Sequence, residues 1–293
     1  MAKVKSFAVG DGDMFYVSHN SDSFTIVDCQ LLGDDDEKDI IVDELKRESA
    51  KKTVTRFMST HPDEDHIEGI EYLDEKMPIR NFYVVDNEAT KDDESQSFRH
   101  YRKLRDSDKA FYVMKGCQRR WMNLSDETRE TAGIEILWPC RSNKHFKAAL
   151  RDAADGVAFN NISLVARYAI KDGPSFMWIG DLETQFMEDI ADDIALSRTT
   201  VVFAPHHGRK SGKLPDTWLD RLKPRIVVIG EAPSRHLDYY TGYNTITQTK
   251  AGDITFVQDG DKLHCYASNE DYGMREWLND GVCSTRVGDG LPA

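Results

Sequence analysis

Three apolar segments in this chain each end in a cluster of metal-type ligands, and that pattern restricts the fold more than any other feature. Thr53–Met58 reads as a strand that runs into Ser59-Thr60-His61-Pro62-Asp63-Glu64-Asp65-His66-Ile67-Glu68-Gly69. Two histidines and two aspartates fall within six residues there. Phe176–Ile179 is an apolar run ending in Gly180-Asp181, and Thr199–Ala204 ends in Pro205-His206-His207-Gly208. A strand end is a rigid platform, and imidazole and carboxylate are the groups that ions of the zinc and manganese type accept. A Gly-Asp turn after a strand is common on its own. Three such ends in one chain can converge on one edge of a layered fold.

The rest of the chain supplies the layers. Lys3–Val9, Met14–Ser18 and Phe24–Asp28 read as strands separated by the turn compositions Gly10–Asp13 and Asn20–Asp22. Asp39–Glu48 places Ile40, Ile41 and Leu45 at helical spacing, and Ile67–Lys76 does so with Ile67, Ile70 and Leu73. The acidic run Asp34–Asp39 reads as a solvated loop before the first helix. Asn81–Val85, Ile134–Trp138, Ile162–Ile170 and Arg225–Ile229 read as further strands, and Leu214–Leu222 as a helix. Ile254–Val257 and Lys262–Tyr266 form a closing hairpin around Gln258–Asp261. This order predicts a two-sheet sandwich with helices outside, of α+β class. A single domain over 1–293 is expected, with an insertion around 88–130 and a short C-terminal extension over 268–293.

Composition excludes several classes. The chain has 293 residues and a net charge of −13, so it is not a non-specific nucleic-acid coat. No apolar run approaches the ~20 residues that span a bilayer. The N-terminus lacks the apolar core of a secretory leader. Five cysteines with no CxxC fit core thiols in a reducing compartment, and a cytoplasmic location is expected. One segment reverses the local charge: Ser95–Trp121 carries eight Lys/Arg against two Asp, with Phe98, Tyr101, Phe111, Tyr112 and Trp121 interleaved. It reads either as a helix whose basic face pairs with acidic loops or as a phosphate-facing lip. Arg235 and His236, on a loop after Arg225–Ile229, could serve an anion in the same way.

The ordered set HxDxDHxxG, a strand ending in Gly-Asp, and PHHG resembles the metallo-β-lactamase-fold hydrolases, and within them the branch containing the C-terminal hydrolase domain of the ComEC competence channel. Val9–Asp13, Thr25–Asp28, Ile136–Pro139, Asn160–Val165 and His206–Ser211 resemble further pieces of that branch, so the likeness covers about 4–267. The resemblance implies an αββα four-layer sandwich with two divalent metal ions on one edge. His61 and Asp63 would hold one ion, Asp65 and His66 the other, and Asp181 would bridge them. His207 is favoured over His206 as the last ligand, with His206 orienting or donating a proton. Asn161 would replace the usual third ligand of the first ion, and Asp28 would support the metal loop from behind. Oxygen-rich ligands admit Mn²⁺ as well as Zn²⁺.

The reaction implied is hydrolysis by a metal-bridged hydroxide, with Asp65, Asp181, His206 and Lys210 as the catalytic set. No GxSxG and no P-loop occurs. The expected substrate is a phosphodiester, with nucleic acid as one form of it, which Lys210 would suit. A lactonase, a phosphocholine esterase, or a non-catalytic partner module with a relict site are the alternatives. A separately encoded protein partner is conceivable, and no membrane partner is expected.

Overall fold

The structure is a computed structural model describing residues 1–231, 238–260 and 262–273, together with the backbone of 283–287. Arg235 and His236, Asp261 of the closing turn, and most of the expected C-terminal extension lie outside the described residues. No described helix is long and apolar enough to cross a membrane.

The first sheet draws on both ends of the chain. β1 (Lys3–Ser6), β2 (Phe15–Ser18) and β3 (Ser23–Val27) form an antiparallel meander. The two-residue β4 (Cys29–Gln30) bridges to Ile67 and Glu68. After helix α1 (Asp35–Ser49), strands β5 (Val54–Met58), β6 (Phe82–Val85) and β7 (Ala110–Val113) add in parallel beside β3. The second sheet follows in chain order: β8 (Ile134–Trp138), β9 (Val165–Ala169), β10 (Ser175–Trp178), β11 (Val201–Phe203), β12 (Ile226–Ile229) and β13 (Thr245–Thr247). The chain then returns to the first sheet. β14 (Ile254–Asp259) pairs with β1, β15 (Lys262–Ala267) with β14, and the backbone of β16 (Cys283–Val287) lies parallel to β15. The mixed α/β architecture with two multi-strand sheets matches the α+β expectation.

Period-two alternation lets one strand serve two faces. Phe15 meets Phe203 at 4.7 Å and Trp178 at 6.1 Å on the second sheet. Its neighbour Tyr16 stacks on Phe24 and donates its hydroxyl to Glu44 of α1. Phe176 and Phe256 repeat the contact between sheets at 5.7 Å. Such ring pairs add about 0.5–1.5 kcal/mol each beyond the area they bury. On the far side of β1, Lys3 pairs with Glu48 and Lys5 with Glu44, which docks α1 over buried Val42 and Leu45. In the second sheet Trp138 packs edge-on against Phe146 of α5 (Lys144–Ala154) and Phe186 of α6 (Thr184–Asp189).

Three local expectations are corrected. The acidic run 34–39 is the start of α1 and not a loop before it: Asp34 accepts the Glu37 amide while the Glu37 carboxylate accepts the Asp34 amide. The acids sit where the helix dipole favours them. The helix expected over 67–76 is two pieces, α2 (Glu64–Ile67) and α3 (Ile70–Lys76). Gly69 separates them at φ +78°, and a Cβ there would lie 2.8 Å from the Leu31 side chain. The strand expected from Ile162 begins only at Val165, because Asn160–Ile162 forms a single 3-10 turn.

The segment 95–121 contains helix α4 (Gln96–Arg105) and the edge strand β7. Arg102 pairs with Glu94, and Arg105 is buried in a network with Asp106, Asn87 and Ala89. Arg119 lies over Phe111 and Tyr83 and reaches Asn81, while the Trp121 carbonyl accepts from Arg56. Asn81 directly precedes β6, and Arg56 is the middle residue of β5. Arg119 and Trp121 are therefore packed against the middle and the start of these strands and not at the ends that lead to His61.

Candidate metal centre

The parallel strands β3, β5, β10 and β11 all deliver their C-terminal ends to one place, the usual position of sites in sheets of this kind. β3 delivers Asp28 and β5 delivers the loop Ser59–His66. Ser59 donates its amide to Tyr83, and Thr60 accepts the Leu164 amide from the second sheet. β10 ends in Ile179-Gly180-Asp181. Gly180 has φ +58°, and a Cβ there would come within 2.7 Å of Ser163 Oγ and 3.0 Å of Thr60 Cβ. Only glycine lets the two loops close while Ser163 Oγ accepts the Asp181 amide at 3.0 Å. After β11, His206 and His207 both have left-handed backbone, at φ 52° and 56°. Such conformations cost about 1–3 kcal/mol each and persist only where the surroundings enforce them. Here the His206 amide is tied to the Gly180 carbonyl.

One buried carboxylate fixes two histidines. Asp28 accepts the Thr60 amide at 2.7 Å, the Thr60 hydroxyl at 2.6 Å and His66 Nδ1 at 2.9 Å. A carboxylate only accepts, so His66 carries its proton on Nδ1. The single Thr60 hydroxyl hydrogen goes to Asp28, so Thr60 Oγ1 accepts from His61 Nδ1 at 3.1 Å. In the neutral rings both Nε2 atoms are thereby left to face inward with a lone pair. On the other side, His207 Nδ1 meets Asp13 Oδ1 at 3.2 Å, which turns its Nε2 toward Asp65 Oδ2 at 3.2 Å and Asp181 Oδ2 at 3.6 Å.

Asp181 lies in the middle. Its Oδ1 is 3.2 Å from His66 Nε2, and its Oδ2 is 3.9 Å from His61 Nε2 and 3.8 Å from His206 Nε2. Asp63 Oδ2 is 3.8 Å from His61 Nε2. One ligand atom from each of Asp65, His66, Asp181 and His207 falls within a span of 4.8 Å. His61 Nε2, His66 Nε2 and Asp181 Oδ1 are buried without a hydrogen-bond partner. Buried polar atoms are rarely left so, and a place for an ion is one recognised cause.

The electrostatics fit a cation. Burial opposes charge on His66, yet Asp181 and Asp28 raise it well above the usual range. Burial likewise opposes charge on His207, but Asp181, Asp13 and Asp65 raise it to about 10. Asp181 is held well below the ordinary carboxylate range despite burial, by His66, His207 and His61. Asp65 is drawn down to about 2 against burial by His207 and His66. His61 goes the other way, down to about 3, because of burial and the neighbouring His66. Without metal the cluster keeps positive charge on its own imidazoles.

The expected residues His61, Asp63, Asp65, His66, Asp181, His206 and His207 thus meet at one place, with Asp28 behind them. Asn161 turns elsewhere: its carboxamide donates to Glu183 Oε2 at 2.9 Å and accepts the Glu183 amide at 3.1 Å. Lys210 is exposed in the turn after the His pair. Three contributors were not anticipated. Asp13 lies in a glycine turn whose composition signals only a bend. Thr60 precedes the first ligand. Lys91 approaches Asp63 and Glu64 from the loop after β6. The chain matches no protein-family model and no curated protein.

Proposed function

We propose that this chain is a metal-dependent hydrolase with the four-layer αββα sandwich of the metallo-β-lactamase fold. The reading rests on one observation above others: His61 Nε2, His66 Nε2 and Asp181 Oδ1, from two different strand ends, are buried close together without a formed hydrogen bond. The fold assignment draws support from α1 on the outer face of the first sheet and from α5 and α6 against Trp138 of the second.

Two divalent ions, zinc or manganese, would supply Lewis acidity and an acidified water. His61 and Asp63 would hold one ion and Asp65, His66 and His207 the other, with Asp181 shared. The remaining chemistry belongs to the chain itself. Asp28, Thr60 and Asp13 keep the imidazole lone pairs aimed inward. His206 is partly exposed, its Nδ1 lies 3.0 Å from Ser211 Oγ, burial lowers its basicity, and its Nε2, 3.8 Å from Asp181 Oδ2, is the atom that would take or give a proton. Lys210 stands beyond it as a cation for an anionic substrate. A phosphodiester is the substrate class that this set suits best, with nucleic acid the form to test first.

The test is metal content after reconstitution with Mn²⁺ or Zn²⁺, alongside hydrolysis of bis-(p-nitrophenyl) phosphate, single-stranded and duplex DNA, and RNA. Asp181→Ala serves as the control. Retained metal and full activity in that variant would refute the assignment.

A further inference from the structure

We infer that Lys91 makes the two metal positions unequal, holding the His61/Asp63 position weak while the position built from Asp65, His66, Asp181 and His207 binds tightly. The inference rests on the proposed metal centre and concerns how that centre is loaded.

The two halves of the cluster differ in their ligand supply. Four ligand atoms on the His66 side lie within 4.8 Å of one another. On the His61 side the nearest approaches, 3.8 Å from His61 Nε2 to Asp63 and 3.9 Å to Asp181, are longer than the 3.2 Å that separates His66 Nε2 from Asp181 and His207 Nε2 from Asp65 on the other side. A further donor there would have been Asn161, but both ends of its carboxamide are committed to Glu183. What does stand beside Asp63 is a cation. Lys91 Nζ is 3.7 Å from Asp63 Oδ1 and 3.0 Å from Glu64 Oε1.

This ammonium is built in. Its loop is tied to α5 by Thr90, whose amide and hydroxyl bond the carbonyls of Ala153 and Ala154. The Lys91 charge lies over the rings of Phe98 at 4.8 Å and Phe159 at 5.1 Å. Aromatic faces favour the charged form. Glu64 is further anchored by the Ser95 hydroxyl. A fixed positive charge so close to Asp63 competes with a divalent ion for that carboxylate and repels the ion across a short distance. It also supplies part of the neutralisation that a second ion would bring.

The experiment is calorimetric titration of the metal-free full chain with Mn²⁺ alone, comparing wild type, Lys91→Met and Lys91→Arg. Methionine keeps the stem against the two rings and removes the charge. Arginine keeps the charge. Wild type should bind one ion tightly and a second at least about tenfold more weakly. Lys91→Met should tighten the second step by about tenfold or more and leave the first nearly unchanged, whereas Lys91→Arg should keep the wild-type pattern. Two equal ions in wild type, or a second step unmoved by Lys91→Met, would overturn the inference and leave the metal centre standing. No bound ion in any of the three proteins would overturn both.

Discussion

Replacing Asp28 by asparagine should separate the fold from the metal chemistry. The Asp28 carboxylate accepts from the Thr60 amide, the Thr60 hydroxyl and His66 Nδ1, at 2.7, 2.6 and 2.9 Å. Asparagine keeps the shape and one carbonyl oxygen, which can still serve the Thr60 amide. Its nitrogen then faces Thr60 and His66 as a donor. His66 must answer with a lone pair on Nδ1, so its proton moves to Nε2, the atom that faces Asp181 at 3.2 Å. The ligand then presents a hydrogen where an ion needs a lone pair. Losing such an outer partner typically costs about 10–100-fold in metal affinity. The cost to the fold is smaller, because asparagine fills the same space and keeps the hydrogen bond from the Thr60 amide. An ion present at about 100 times its Kd adds about 2.7 kcal/mol of stability, and at its Kd only about 0.4. A hundredfold loss therefore removes about 2.3 kcal/mol of metal-dependent stabilisation, or roughly 4 °C in Tm for a chain of this size. Thermal unfolding of both proteins in Mn²⁺ and in EDTA reads this directly. If Asp28→Asn shows the same metal-dependent rise in Tm as wild type, the assigned histidine tautomers are wrong.

Four other outcomes are expected. His207→Ala should lower bound metal, whereas His206→Ala should leave metal content intact and slow hydrolysis by about 10²–10⁴-fold; elemental analysis beside kinetics distinguishes them. Asp13→Ala should weaken metal binding through His207, with the circular-dichroism spectrum unchanged. Phe15→Ala should cost about 3–5 kcal/mol in denaturant unfolding, because the ring fills the space between the two sheets. Burial, reinforced by Arg56, holds His19 neutral and well below its usual pKa, so the unfolded chain takes up the extra proton and stability falls as pH drops below about 6.5. His19→Gln, which can keep the contact with Thr25, should flatten that slope by up to about 1.4 kcal/mol per pH unit.

The parts of this molecule legible in its sequence are those where one local rule acts alone. Apolar strands ending in His or Asp were readable because β5, β10 and β11 are short, buried and followed at once by polar residues. The start of α1 was not, because three consecutive aspartates resemble a loop until Glu37 is seen to answer Asp34 from three positions on. α5 and α6 escaped notice because their apolar faces are narrow: α5 buries only Phe146, Ala149 and Ala153 among its charges. At the site, ligands were visible as residue types, whereas their supports were not. Asp13 touches His207 across 194 positions of sequence, and Lys91 reaches Asp63 from a loop that local composition marks only as charged. The basic segment left two readings open in sequence, and its charges are largely taken up within the fold: Arg102 pairs with Glu94, Arg105 bonds the loop after β6, and Arg119 lies over Phe111 and Tyr83 of the first sheet.

The placement of the site between the two sheets links its charge to the stability of the whole sandwich. Asp28 and the 59–66 loop come from the first sheet, Asp181 and the His pair from the second, and Asp13 from the turn that joins β1 to β2. Five carboxylates therefore crowd a region closed over by both sheets, and like charges at such range oppose the closure. Protons on His66 and His207 offset part of that repulsion, and the Lys91 ammonium offsets another part. In the absence of an ion these three cations would supply part of the neutralisation that one brings. A divalent ion that displaced the two imidazole protons would hold the same carboxylates with shorter bonds and bind both sheets together, so metal loading and resistance to unfolding should rise as one quantity.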